Sequence, residues 1–525
     1  MIRIQQLKLS IPHTEKELKN AILKTLRIGK DDLISYRIVK RSLDARKKPE
    51  LCYSYVVDAE VKHQAAVLKK KPKGAAPSTG KQYVLPPMAK EKPKLPIVII
   101  GSGPAGLFAG LILARCGYCP ILLERGDCVE ERQKKVDRFW ELGILDTESN
   151  VQFGEGGAGT FSDGKLNTAV KDASGRNGYV LQSFVKAGAP EEILYQGKPH
   201  IGTDILKNVV SNIRKEIEEL GGEVRFRSKV TDFYVTEGRL TGLEINGRER
   251  LDCEKAILAI GHSARDTFQR LFQLSVSMSQ KAFAVGLRIE HPQAMIDLCQ
   301  YGRQRGTLLP AADYKITRKL SGGRGFYSFC MCPGGYVVNA SSEEGFLAVN
   351  GMSYHGRAGE NANSAVVVTV GPKDFPSGDV LAGMEFQRRL EKAAYETGEG
   401  RIPVQLFSDF QEGVCSTSLG EVSPSLKGAW KFGNLNRIFP EALSQALKEG
   451  IRSSEALIKG FSRKDAILSG VESRTSSPVR IERGDTYESS IQGLYPCGEG
   501  AGYAGGITSA AMDGIRVAEA LIESI

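Results

Sequence analysis

Four consecutive apolar residues, Ile97–Ile100, run into Gly101-Ser-Gly103-Pro104-Ala105-Gly106 and on through an apolar stretch to Gly110; Ile121-Leu-Leu then leads to Glu124-Arg125. This reads as strand, glycine turn, helix, strand, acid, and it constrains the fold more than any other part of the chain. An unbroken apolar run of strand length suits a parallel strand buried on both faces. Gly101 permits the tight turn, Gly103 lets the backbone approach a pyrophosphate, and Gly106 lets the helix pack close to the strand. The helix N-terminus then offers unpaired N–H groups and a positive dipole end to the phosphates. Glu124 closes the second strand, where a carboxylate accepts hydrogen bonds from a ribose diol. The expectation is a dinucleotide-binding βαβ unit.

A chain of 525 residues is too long for one core, so two to four domains are expected. No apolar run approaches the length of a membrane span, and Met1-Ile-Arg-Ile-Gln-Gln alternates like a strand rather than a signal peptide. Ten cysteines scattered through αβ patterns suit a reducing cytoplasm better than a disulfide framework. The net charge of +10 is uneven: residues 1–96 hold 22 Lys/Arg against 9 Asp/Glu, +13 in all, which leaves −3 for the remainder. The basic character belongs to the N-terminal region, as a solvated face and a Lys-rich linker or as a docking surface for nucleic acid or another polyanion.

Residues 1–68 read as a small basic βαββ domain, with Thr14 and Glu17 spaced as a capping box. Residues 69–96, rich in Lys and Pro and without periodicity, read as a linker or extended strap. After Glu124 a polar helix is expected over about 129–141. Next comes Asn150-Val-Gln-Phe-Gly154-Glu-Gly156-Gly157-Ala158-Gly159-Thr-Phe-Ser-Asp-Gly164-Lys165-Leu166, whose five glycines let a backbone lie against a planar ligand or around phosphates. Thr203 or Asp204 is expected to cap a helix running to about Leu220. Residues 230–251 alternate, with turns at Glu237-Gly238 and Asn246-Gly247, as in a β-meander. Ala256-Ile-Leu-Ala-Ile-Gly261 reads as another buried strand, and residues 283–370 are β-rich. Helices are expected near 381–398 and 440–460. Near the end, Tyr495-Pro-Cys497-Gly498-Glu499-Gly500 through Gly505-Gly506-Ile507 reads as strand, acidic glycine turn and a second helix N-terminus aimed at an anion.

In this order the pieces resemble the two-dinucleotide-binding-domain flavoproteins, and more closely the bacterial family of uncharacterised FAD-dependent dehydrogenases. The resembling stretches are Phe153–Lys165, Pro199-His200-Ile-Gly-Thr-Asp204, Gly261-His262-Ser-Ala-Arg-Asp266, Phe329-Cys330-Met-Cys332-Pro-Gly-Gly335 and Tyr495–Gly506. The Asp44-Ala-Arg-Lys47 turn extends the likeness into the N-terminal unit. The resemblance implies an α/β fold: a Rossmann-like FAD domain of glutathione-reductase type (about 97–275 and 471–525), an inserted β-rich α+β substrate domain (276–470) and the N-terminal appendage. It implies that Gly101, Gly103 and Gly106, with Pro104 and Ala105 between them, hold the FAD pyrophosphate. Glu124 would hold the adenosine ribose, with Arg125 and the Val230 backbone near adenine. Gly156, Gly157, Ala158, Lys165 and Leu166 would lie along the flavin, and Gly261 at the sheet edge. Gly498 and Glu499 would sit by the ribityl-pyrophosphate, and Gly506 and Ile507 at the flavin N1–C2=O edge.

Chemistry is expected where that site meets the substrate domain. Cys330 and Cys332 form a dithiol before a Gly-Gly turn, able to exchange electrons with a flavin through a thiolate. His200, before a helix, is a candidate for proton transfer during hydride transfer. Cys116 and Cys119 form a CxxC, but at the end of the parallel strands away from any ligand. The reading is an FAD-dependent oxidoreductase, a dehydrogenase or reductase, acting on a small or lipophilic substrate. No second G-x-G-x-x-G follows a strand, which leaves NAD(P)H as a transient donor at the flavin face, or an electron-donor protein. The alternative is a flavoprotein that binds or modifies nucleic acid through its N-terminal domain. A third reading gives that domain to self-association or to covering the active site.

Overall fold

The structure, a computed structural model, describes residues 1–89 and 93–525; the part of the expected linker at 90–92 lies outside the described residues. The fingerprint strand Ile97–Ile100 is the middle of a five-stranded, all-parallel sheet in the order Leu494–Pro496, Lys255–Leu258, Ile97–Ile100, Ile121–Leu123, Glu223–Arg225. Alternation sends Ile97 and Ile99 to one face and Val98 and Ile100 to the other, and both faces are buried. One face carries the fingerprint helix Pro104–Arg115, the helix Thr203–Glu219 and the C-terminal helix Ile507–Glu523; the other faces the meander Val230–Thr236, Arg239–Ile245, Glu249–Asp252.

Between Lys255–Leu258 and Leu494–Pro496 the chain builds a seven-stranded sheet, in the order Thr317–Lys319, Gly325–Cys332, Asn361–Val370, Phe283–Pro292, Ile467–Glu472, Ile402–Leu406, Trp430–Phe432. Its strands supply the largest core, closed by the helices Ala382–Gly398 and Glu441–Ser454. Strand Ile467–Glu472 runs through position 470, where a boundary between substrate and FAD domains was expected. That segment belongs to the sheet, and the chain crosses back only after it.

The N-terminal unit is a four-stranded sheet, in the order Leu33–Asp44, Cys52–Val61, Ile2–Ser10, Ala75–Pro77, with the helix Glu15–Leu26 packed on it. The capping box is present, with Thr14 and Glu17 exchanging hydrogen bonds. The fourth strand corrects the expected βαββ unit ending at residue 68. Ala75–Pro77 pairs antiparallel with Ile2–Ile4, an edge that alternation within 1–68 left open. Beyond it the chain straps across the parallel-sheet domain: Ala89 N–H donates to Cys116 O, and Tyr83 O–H to Glu519. The hairpin tip docks elsewhere, with Leu51 in the core of the seven-stranded sheet domain and Arg41 bridged to Gln196. Some of the N-terminal positive charge is engaged locally: Arg3 and Arg37 pair with Asp58, Lys8 and Arg46 with Asp44. Among the described residues no helix is long and apolar enough to cross a membrane.

Candidate functional site

The carboxyl ends of the parallel strands open into one long cleft that continues to the edge of the seven-stranded sheet. Its near end is the glycine turn. Added Cβ atoms at Gly101 and Gly106 would collide with Ala259 O and Gly101 O, so these glycines serve strand and helix packing. At Gly103 nothing lies nearer than Gly157 Cα, at 3.9 Å. Gly103 and Gly157 thus lie backbone to backbone on the cleft wall. The fingerprint helix starts at Gly103 with no side-chain cap, leaving its first N–H groups for a ligand.

Glu124 lines the cleft beside this turn. Its Oε2 accepts from Ser102 N (2.9 Å) and Ser102 Oγ (2.7 Å), and its Oε1 from Gly126 N (2.9 Å) and Gly154 N (3.0 Å). The carboxylate therefore also ties the fingerprint turn to the glycine loop. Arg125 lies over the Phe153 ring at 4.0 Å and pairs with Glu148 and Asp266. Val230 lines the same end.

Loop 150–161 is organised by Arg132, which is fully buried beneath it in the helix Val129–Leu142. Its guanidinium donates to five backbone carbonyls: Asn150 O (2.8 Å), Val151 O (3.0 Å), Gly154 O (3.2 Å), Glu155 O (2.7 Å) and Gly157 O (2.9 Å). Burial lowers its pKa to about 10, against the pull of Glu124 and Glu155, so it stays charged. Glu155 accepts from the first N–H of that helix, Val129 N (2.7 Å), and pairs with Arg214 (2.7 Å). The result is a loop lying flat on the fingerprint turn, Gly156 N donating to Ser102 O at 2.9 Å.

The Gly505–Ile507 segment enters the cleft as the start of the C-terminal helix, whose N-terminus also lacks a side-chain cap. Thr508 Oγ1 donates to Leu166 O (2.9 Å), bringing the end of the glycine loop beside it. Glu499 lines the cleft with a quarter of its side chain open; the surrounding walls withhold water and push its carboxyl up to about 7, Lys281 opposing. His262 lies 4.0 Å from Glu499, and burial with Arg474 and Arg265 nearby lowers it to about 3, leaving it neutral.

The far end is formed where the seven-stranded sheet meets the loop. The ladder of Gly325–Cys332 with Asn361–Val370 breaks between Phe329 and Cys332. There Cys330 adopts a left-handed φ of 43°, and its carbonyl accepts from the buried Arg288 (2.8 Å). Such a conformation is costly for a residue with a Cβ and re-aims its side chain. Cys330 and Cys332 both line the cleft as free thiols. Cys332 is buried, which raises its thiol and keeps it protonated near neutral pH, whereas Cys330 is exposed. Arg288 also holds Glu472 (2.7 Å) and Asn350 Oδ1 (2.9 Å), and Glu472 and Asn350 face the cleft.

The cleft thus gathers Gly101, Gly103, Pro104, Ala105, Glu124, Arg125, Gly157, Ala158, Lys165, Val230, Gly261, Cys330, Cys332, Glu499, Gly506 and Ile507. Gly106, Gly156, Leu166 and Gly498 stand behind its wall: a Cβ at Gly156 would strike Thr160 and one at Gly498 would press on Ala105, at 2.7 Å, while Leu166 is core. His200 is not among the lining residues. Its ring stacks on His355 (centroids 5.3 Å) with Nε2 3.1 Å from His355 O, and burial, with Arg357 nearby, lowers it to about 4. The helix expected to be capped by Thr203 or Asp204 has Gly202 at its cap, because Thr203 donates to Thr160 O and Asp204 accepts from His355 N. Cys116 is buried behind the sheet, its thiol 3.5 Å from Pro86 O. Arg132, Asn350, Glu472 and Arg474 went unsingled in the sequence. Each owes its place to partners far along the chain, and no local spacing marks it.

Residues 282–475 match the family described as FAD-dependent protein, C-terminal domain-like, and residues 1–60 match a domain of unknown function, DUF8436. Among solved structures, L-proline dehydrogenase from P. horikoshii is similar at 12% identity over 83% of this chain and 95% of its own, with a TM-score of 0.35. Glycine oxidase from Bacillus cereus is similar at 12% identity over 82% and 95%, TM-score 0.32, and CtdE in complex with FAD at 11% over 82% and 84%, TM-score 0.33. Among curated proteins, an uncharacterized protein of Clostridium beijerinckii is 50% identical over 530 residues, 99% of this chain and 98% of its own. At that identity over nearly its whole length, the chain belongs to one family with the Clostridium beijerinckii protein.

Proposed function

We propose that this protein is an FAD-dependent oxidoreductase that moves a hydride between bound flavin and a substrate held against the seven-stranded sheet. One observation carries the reading: a single cleft joins two uncapped helix N-termini, a strand-end carboxylate and the Cys330 bulge. An extended dinucleotide finds a partner there for its ribose, its pyrophosphate and its flavin edge. The N–H groups after Gly103 suit the pyrophosphate. Glu124 suits the adenosine ribose, whose hydroxyls would replace the Ser102 hydroxyl on a carboxylate with about four acceptor sites. The Gly506–Ile507 N-terminus suits the pyrimidine edge of a flavin, where its dipole is worth up to ~2 kcal/mol when partly buried. FAD supplies, when bound, a two-electron ring able to carry hydride.

The chain's own groups bind, orient and exclude water. Arg132 fixes the loop under the ring site, and Cys330, Cys332 and Phe329 line the far end. Glu499, poised near neutrality, is the cleft's best-placed proton reservoir. The dehydrogenase assignment and NAD(P)H, or a donor protein, as the source of electrons belong to this reading. Purified protein given FAD and passed through gel filtration is expected to keep about one flavin per chain. Anaerobic mixing with NADH or NADPH then tells a nicotinamide donor from a protein donor. A colourless protein after reconstitution sinks the proposal.

A further inference from the structure

The far end of the cleft carries one cation that the protein leaves without a hydrogen bond. Lys165 lines the cleft with about a third of its side chain open, and its Nζ makes no hydrogen bond among the described residues. The nearest carboxylate oxygen is Asp163 Oδ2, at 3.4 Å. That carboxylate is already committed: Arg357 donates to both its oxygens, Nε at 3.0 Å and Nη2 at 2.5 Å. The other far-end charges are matched as well, Glu472 by Arg288 and Glu391 by Arg474. Asp163, Arg357 and Lys165 together hold a net charge of +1, with Asp163 and Lys165 on the cleft wall. Burying an ammonium without hydrogen bonds is costly, and such an arrangement persists where a ligand completes it.

Three features say what that ligand is. Lys165 shares the cleft wall with Cys330 and Cys332 of the seven-stranded sheet. On the same cleft Asn350 has its Oδ1 occupied by Arg288 Nη2 (2.9 Å) and Gly351 N (2.8 Å), which leaves its amide N–H₂ as a donor without a partner among the described residues. Phe329 and the thiols of Cys330 and Cys332 line the same cleft, together with Glu472, whose charge is matched by Arg288. One ammonium and one amide donor match the two oxygens of a carboxylate, and offer too little for a dianionic phosphate.

We infer that Lys165 and Asn350 form the subsite for the carboxylate of a monoanionic organic substrate, held with its apolar part toward Phe329 and Cys330. This rests on the flavoprotein reading for its place beside the ring, while the binding itself is measurable without flavin. Benzoate is the probe and benzamide its neutral control, with binding read by calorimetry on protein with and without FAD, and by the visible flavin spectrum where FAD is bound. Benzoate is expected to bind and benzamide and inorganic phosphate to bind at least tenfold more weakly. Lys165→Met should weaken benzoate binding on the order of 30-fold, as expected for removing one partner of a desolvated charge pair, and Lys165→Arg should stay within about fivefold of wild type. Asn350→Asp keeps the acceptor for Arg288, adds a repelling charge and should cost tenfold or more. Benzoate binding equal in wild type and Lys165→Met, equal binding of benzamide or phosphate, or no benzoate binding at all overturns the subsite. A change in flavin midpoint potential in Lys165→Met with benzoate affinity unmoved assigns the ammonium to the flavin and likewise overturns it. Flavin content after gel filtration is scored separately, so a failed cofactor reading is told apart from a failed subsite.

Discussion

Glu499 shows how a single side chain in this cleft couples function to stability. Its carboxyl is raised by burial from 4.5 to about 7. Between those values the folded protein holds a proton that the unfolded chain has released. Stability from this group is therefore full below about pH 4.5 and falls as pH rises through 7. Glu499→Gln replaces it with a neutral isostere. The variant apoprotein should match wild type near pH 4.5 and exceed it by about 1–2 kcal/mol at pH 8, with the quarter-exposed side chain softening the full shift. Urea unfolding at several pH values reads the difference, from which other titrating groups such as Glu290 cancel. A difference that stays flat between pH 5 and 8 would refute the burial argument. Glu499 could be found from its glycine turn. Arg132 could not, because Glu130-Glu131-Arg132-Gln133-Lys134-Lys135 reads as a solvated surface and only the loop folding over it buries the guanidinium.

At the scale of elements, the sequence was most readable where local chemistry and burial agree. The strand Ile97–Ile100, the Thr14 capping box, the meander after Val230 and the helix ending at Gly398 each carry a short-range signal. The strand Ala75–Pro77 carries none, since three small residues in a Lys- and Pro-rich stretch become a strand only by meeting the open edge of Ile2–Ile4. The fingerprint turn lets two glycine roles be separated by experiment. Gly106→Ala puts a Cβ into Gly101 O, a backbone atom that cannot yield, and should cost about 2–4 kcal/mol of stability with or without flavin. Gly103→Ala meets nothing within 3.9 Å and should leave the apoprotein's thermal midpoint within a few degrees of wild type. There the added methyl stands where the pyrophosphate approaches, and FAD affinity should fall at least tenfold. Equal effects of the two substitutions on both measurements would mean that the turn does not divide its glycines between packing and ligand.

For the whole molecule, the two large sheets are joined by buried charge as well as apolar contact, and none of it was legible in advance because its members lie 126 and 83 residues apart. Glu391, fully buried in the helix Ala382–Gly398, accepts from Arg265 Nη1 (2.9 Å) and Nη2 (2.8 Å) and from Arg474 Nε (2.9 Å) and Nη2 (2.8 Å). Ser473 Oγ adds a bond at 2.6 Å. Arg265 follows the strand-Gly turn of the parallel sheet, and Arg474 follows the last long strand of the other sheet and lines the cleft. Burial alone would raise the Glu391 carboxyl, but the two guanidiniums hold it far below the usual carboxylate range. Titration in the neutral range cannot release this joint. Glu391→Gln, however, strips the charge while keeping the shape, leaving the buried Arg474 without a carboxylate and Arg265 with Glu343 alone. Breaking a buried pair in this way costs about 3–5 kcal/mol, and here the loss falls on the contact that aligns the two halves of the cleft. Denaturant unfolding of Glu391→Gln should show that loss in apoprotein and holoprotein alike, and FAD should dissociate faster although no ligand-binding residue has changed. Glu391→Met with Arg265→Met and Arg474→Met together should recover much of the stability, since the uncompensated charge is then gone. A triple variant no more stable than Glu391→Gln would show that the joint is held by shape and not by charge.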